Sequence, residues 1–213
     1  EIVAQGEREF AAVRAEMVRL ARGMWERWVP DRAAPAADAA GDEEAVRAVL
    51  AAIGREHGAP DAILDYCRAE LARVEAFCRE RDVIGLAEEP LAIEWTPVFL
   101  RSTGGAMLIP PGPLDVGQKA FFAVTPVGED WSAEQVESYL REDNDRMLRL
   151  LTIHEAVPGH YLQLAYANRC ASLARVILWS GVFAEGWAVY VTQVMMDLGY
   201  GADDPALMLV HWK

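Results

Sequence analysis

A proline followed by a glycine, Pro158-Gly159, interrupts the apolar run "LLTIHEAVPGHYLQLAY", and nothing else in the chain limits its fold so tightly. Pro158 has no N–H for the carbonyl four residues back, and its ring clashes there. It also pushes Val157 out of the α region. Gly159 can take backbone angles closed to other residues. A helix arriving from the N-terminal side must end near the pair, and a second must begin beyond it. That places His154 at the end of one helix and His160 at the start of the next.

The rest of the first half reads as helices. Phe10, Val13, Met17, Leu20 and Met24 recur at steps of three and four, an amphipathic stripe that Pro30 ends. "DRAAPAADAAGD" is a linker. Val46, Val49, Leu50 and Ile53 mark a short helix, "HGAPD" breaks it, and Ile63, Cys67, Leu71, Val74 and Cys78 mark another. Near Pro90 the pattern changes. "LAIEWTPVFL", "GGAMLIP" and "KAFFAVTP" are short apolar or alternating runs bounded by Gly and Pro, and read as strands of a small sheet. "PPGPLDVGQ" between them is a loop. "SAEQ" at Ser132 has the form of a capping box, opening a long helix that runs into His154 and Glu155. A last apolar helix spans about 182–198 and contains "FAEGWAVYVTQ". The expected fold class is α+β and mostly helical, with a small sheet packed against helices. Residues 1–88 form an N-terminal helical region and 89–213 hold the sheet and site helices, together one continuous domain.

Composition narrows the function. The formal net charge is −13, which disfavours nucleic acid, because phosphate contacts need clustered Lys and Arg. No run of about 18 apolar residues marks a transmembrane helix, and no secretory signal is visible. The chain begins without Met and inside an apparent helix, so it reads as truncated at both ends, and a leader could lie upstream. The compartment stays open between cytoplasm and export, as does oligomeric state. Cys67, Cys78 and Cys170 are an odd set without paired spacing, and Cys67 and Cys78 read as small buried apolar residues.

The two histidines carry the chemistry. On an unbroken helix, at about 100° per residue, positions six apart differ by roughly 120° and do not share a face. The Pro-Gly break removes that obstacle, since a kinked turn can bring both imidazoles to one point. A catalytic zinc needs three protein ligands and one open position. The third candidate is Glu185, 25 residues after His160 in "FAEGWAVY". Its neighbours Phe183, Ala184, Trp187, Ala188 and Val189 point to burial, and a buried carboxylate needs a partner. Gly186 beside it leaves room for close helix approach. Glu155 follows the first histidine and faces another side of the helix, suited to act as general base and acid on water. Without a metal, Glu185 would pair with an arginine such as Arg175 or Arg149.

"HEAVPGHYLQ" followed by "FAEGWAVY", with "FFAVTPVGEDWS" upstream, resembles the bacterial domain-of-unknown-function family 885, from about Pro90 onward. That family is regarded as related to the gluzincin zinc metallopeptidases. The resemblance implies a gluzincin-like core, one catalytic Zn2+ held by His154, His160 and Glu185, and Glu155 as catalytic base. Family members are longer than this chain. Val189 stands where some gluzincins place a ligand-orienting Asp. Gluzincin-like proteases pair an edge strand with an extended peptide, and "KAFFAVTP" or "GGAMLIP" is the candidate edge. Tyr190 and Tyr161 are candidates for stabilising the transition state, each weighed against ordinary packing.

The expected activity is zinc-dependent hydrolysis of a peptide or related amide bond. Two alternatives stand beside it: a catalytically inactive metal-binding or structural relative, and a metal-free helical interaction module.

Overall fold

The computed structural model describes residues 1–102, 104–115 and 117–213. Contacts divide the chain into two units. One comprises Glu1–His57, Glu137–Met147 and Gly201–Lys213; the other comprises Gly58–Val136 and Leu148–Tyr200. The boundary expected at 88/89 falls inside the second unit.

The first unit is built from α1 (Ile2–Gly23), α2 (Trp25–Trp28), α3 (Ala39–Ile53) and α10 (Pro205–His211), whose buried faces meet. Ala21, Trp25, Ala45, Val49, Ile53 and Leu207 lie in its core. Phe10, expected on the buried stripe, is exposed. Arg146 anchors this unit, pairing with Glu56 and Asp204 at 2.8 Å each and lying over the Trp28 ring.

The second unit holds α4 (Ile63–Glu80), β1 (Leu91–Trp95), β2 (Ala106–Ile109), β3 (Ala120–Val124), α7 (His160–Asn168), α8 (Leu173–Ile177) and α9 (Gly181–Asp197). All three expected strands form. Their order is β1-β3-β2, with β1 parallel and β2 antiparallel to β3. "KAFFAVTP" is therefore the central strand, and four of its five β3 residues are buried. "GGAMLIP" supplies β2, which is an edge. Val116, in the expected Pro-rich loop, lies outside the described residues.

The helix expected to run from Ser132 to His154 is two: α5 (Ala133–Glu142) and α6 (Asp145–Glu155). Ser132 and Gln135 do form the reciprocal capping box at the start of α5, at 2.8 and 3.2 Å. Asn144 makes the break. Its side-chain oxygen accepts from the N–H groups of Arg146 and Met147 at 3.1 and 3.3 Å, so it caps α6. Its amide donates back to the Arg141 carbonyl at 2.9 Å.

Cys67 and Cys78 are buried on α4, and Cys78 contacts the Met195 sulfur at 3.9 Å. Buried Glu70, also on α4, accepts from the Tyr200 hydroxyl and pairs with Arg73 and with Arg149.

Candidate metal centre

α6 ends at Glu155 and α7 begins at His160, with Pro158 and Gly159 between them. The Val157–Pro158 peptide is cis. Gly159 has a negative φ of −72°, so left-handed freedom is not why glycine stands here. The reason is space. A Cβ at Gly159 would lie 1.8 Å from the His154 carbonyl oxygen. Without one, the chain folds back closely enough for the Gly159 N–H to reach the Ile153 carbonyl at 3.0 Å. This tight reversal brings the two imidazoles together, edge to face, with ring centres 4.7 Å apart.

α9 delivers the third side chain. It packs on α7, presenting Ala184, Ala188, Val191, Thr192, Met195 and Met196 as its buried face. The small residues Ala184 and Ala188 let the helices approach. The Trp187 indole donates to the Pro158 carbonyl at 2.9 Å, tying α9 to the turn between the histidines. Glu185 Oε2 then stands 3.8 Å from His154 Nε2 and 3.7 Å from His160 Nε2. Two ligands about 2.1 Å from a tetrahedral ion are roughly 3.4 Å apart. The two observed spacings exceed that by only a few tenths of an ångström, so Glu185 stands close to ligand spacing from each imidazole.

The expected burial of Glu185 is overturned: its side chain is 69% exposed. Successive helix positions are about 100° apart, which sets Glu185 at the rim of the buried face. Phe183, Val189 and Tyr190, which gave the segment its apolar look, are themselves exposed. Gly186 meets open space, so it serves no close approach.

Glu155, next to His154, is buried. Its Oε2 accepts from the backbone N–H of Leu108 at 2.8 Å. That donor is free because β2 is an edge whose outer backbone groups have no strand partner. Burial pushes the Glu155 carboxyl up to about 7; the Leu108 hydrogen bond opposes this and the charge of Glu185 adds to it. His154 and His160 are both held below the ordinary histidine value, chiefly by burial and against the pull of Glu185. The shift favours the neutral imidazole, the form that can bind a metal. One ligand atom each from His154, Glu155 and His160 also falls within 4.8 Å of the others, so two carboxylates compete for the third position. Glu185 approaches both imidazoles more closely, while Glu155 is engaged with Leu108.

A cleft of about 620 Å³ opens over these groups, walled by Met107, Leu108, Pro110, Pro111, Ile177 and Trp179. Arg175 also lines it. Arg149, named with Arg175 as a possible partner of Glu185, pairs with Glu70.

Neither tyrosine is placed for transition-state stabilisation. Tyr161 is buried and its hydroxyl donates to the Glu89 carbonyl. Tyr190 is exposed, beside the Trp187 ring, and does not line the cleft. Two groups at the site that pattern reading missed are the Leu108 N–H and the Trp187 indole; Arg175, named as a possible partner of Glu185, lines the cleft without an ion pair to it. Only the edge candidacy of "GGAMLIP" hinted at the first.

The sequence profile of a bacterial protein family of unknown function, DUF885, matches residues 1–212. The chain belongs to DUF885. Among solved structures, this DUF885 chain is similar to a lipoprotein candidate of unknown function from Shewanella oneidensis. The two share 30% identity at a TM-score of 0.85, over 98% of this chain and 36% of that one. It also resembles a lipoprotein candidate from Colwellia psychrerythraea at 20% identity and a TM-score of 0.71, over 97% of this chain and 32% of that one. The second likeness shows the fold alone. The DUF885 chain thus spans about a third of the length of each. No curated protein matches it. Among the described residues, no helix is long and apolar enough to cross a membrane.

Proposed function

We propose that the chain carries a gluzincin-like zinc site that hydrolyses a peptide or related amide bond. The observation that carries this reading is the convergence of His154, His160 and Glu185, with Glu155 beside the two imidazoles in the same cleft. A zinc ion held by the first three would supply positive charge to polarise the scissile carbonyl and acidify water.

The remaining work falls to the chain's own groups. Glu155 takes a proton from the attacking water and passes it to the leaving amine. A carboxyl that titrates at about 7 can do both near neutral pH. The Leu108 N–H fixes the rotamer of Glu155, so the base is aimed before substrate arrives. β2 is an edge strand whose Met107 and Leu108 line the cleft, and its outward backbone groups other than the Leu108 N–H suit an extended peptide. The likeness to the Shewanella oneidensis lipoprotein candidate supports export or membrane anchoring as the setting.

Two measurements test the reading together. Elemental analysis of purified protein should find one zinc per chain, lost in His154→Ala and His160→Ala. Glu155→Gln should retain that zinc while lowering peptide hydrolysis by at least about 100-fold. Undiminished hydrolysis in Glu155→Gln, or wild-type protein without metal, sinks the assignment.

A further inference from the structure

Arg175 is the unusual charge in this cleft. The chain has 33 acidic residues against 20 Lys and Arg, and its arginines are commonly paired. Arg22 holds Asp42, Arg169 holds Glu89, and Arg146 holds Glu56 and Asp204. Arg175, on α8, is exposed, and its guanidinium has no ion-pair or hydrogen-bond partner among the described residues. It nonetheless lines the same cleft as His154, Glu155, His160 and Glu185, and neither of those carboxylates claims it. Leucine or lysine would serve a merely apolar or merely charged wall. A guanidinium offers a planar fork of N–H donors matched to the two oxygens of a carboxylate. Around it, Val176, Ile177 and Trp179 present apolar surface to the cleft.

We propose that Arg175 is a specificity residue that binds a carboxylate of the substrate, next to an apolar side chain seated on Ile177 and Trp179. The site selects peptides carrying a free carboxylate. This rests on the hydrolytic reading, because it assigns the substrate class of that same cleft. A carboxylate on a peptide comes from its C-terminus or from an Asp or Glu side chain, and the test separates the two.

The experiment uses calorimetric binding to the full chain carrying Glu155→Gln, and turnover by the chain with Glu155 intact. Each is measured with and without Arg175→Gln and Arg175→Lys. The probes are three matched apolar peptides: one with a free C-terminus, one amidated, and one amidated with an internal Glu. The free-acid peptide should bind about 10- to 100-fold more tightly than the amide, the worth of a hydrogen bond to a charged group. Arg175→Gln should erase that preference, raising KM for the acid while leaving amide binding unchanged, and Arg175→Lys should restore part of it. If the internal-Glu peptide matches the free acid, either carboxylate serves; if it matches the amide, only the terminus does; if it alone binds tightly, only the side chain does. Equal binding of all three peptides, or a preference that survives Arg175→Gln, overturns the proposal. Arg175-dependent binding without hydrolysis overturns the catalytic reading and leaves this one standing. Hydrolysis indifferent to Arg175 does the reverse.

Discussion

Replacing Glu155 by glutamine should stabilise the metal-free protein, and the gain should grow with pH. The folded carboxyl titrates at about 7, above its ordinary value of 4.5. Between those values the folded state binds more protons than the unfolded state, so stability falls as pH rises. The contribution of protonated Glu155 is fully present below about pH 4.5 and is lost as pH climbs through 7. At 1.36 kcal/mol for each tenfold change in proton affinity, the loss totals about 3 kcal/mol. Glutamine has no charge to desolvate, and its side-chain oxygen can still accept from the Leu108 N–H. Urea unfolding of both proteins in chelator, from pH 4.5 to pH 8, measures the difference directly. The variant should gain about 3 kcal/mol over wild type across that range. Glu185→Gln should move the wild-type transition to lower pH, since Glu185 adds to the upward push on Glu155. A difference that stays flat with pH, or one that grows in favour of wild type, would refute the claim that this carboxylate is desolvated.

Three further outcomes follow from contacts around the site. Gly159→Ala drives a methyl group into the His154 carbonyl, where only backbone movement makes room, so it should cost roughly 3 kcal/mol. For a chain of this size that lowers the melting midpoint by about 6–12 °C, and zinc should be lost with it. Trp187→Phe removes the hydrogen bond to Pro158 and loosens α9 from the histidine turn. Zinc titration should show affinity weakened by about 10-fold. Glu70→Gln strips the charge that Arg149 and Arg73 share in the second unit, and denaturant melts should show a loss of about 3 kcal/mol with zinc content unchanged.

Much of this protein was legible without coordinates because it depends on neighbours in sequence. Stripes at steps of three and four mark α3 and α4, since burying one helix face requires that spacing. Ser132 and Gln135 announce α5 because a capping box is a contact over three residues. Asn144 held an equally local signal, but the apolar pattern runs across it and hides the break between α5 and α6.

What the chain could not state locally are the quantities set by distant partners. Burial is one. "FAEGWAVY" looks like a buried helix, yet only the face of α9 meeting α7 is covered, and Glu185 stands at its rim. Edge position is another. "GGAMLIP" and "KAFFAVTP" look alike as strands, and pairing alone makes one an edge and the other central. The Leu108 N–H that holds Glu155 depends on that pairing, across 47 residues of chain. Pro158 and Gly159 dictate by themselves that the helix must break between the histidines, because missing N–H and Cβ groups act where they stand. Where His154, His160 and Glu185 finally meet was decided by the packing of α9 on α7, a long-range contact that no local pattern encodes.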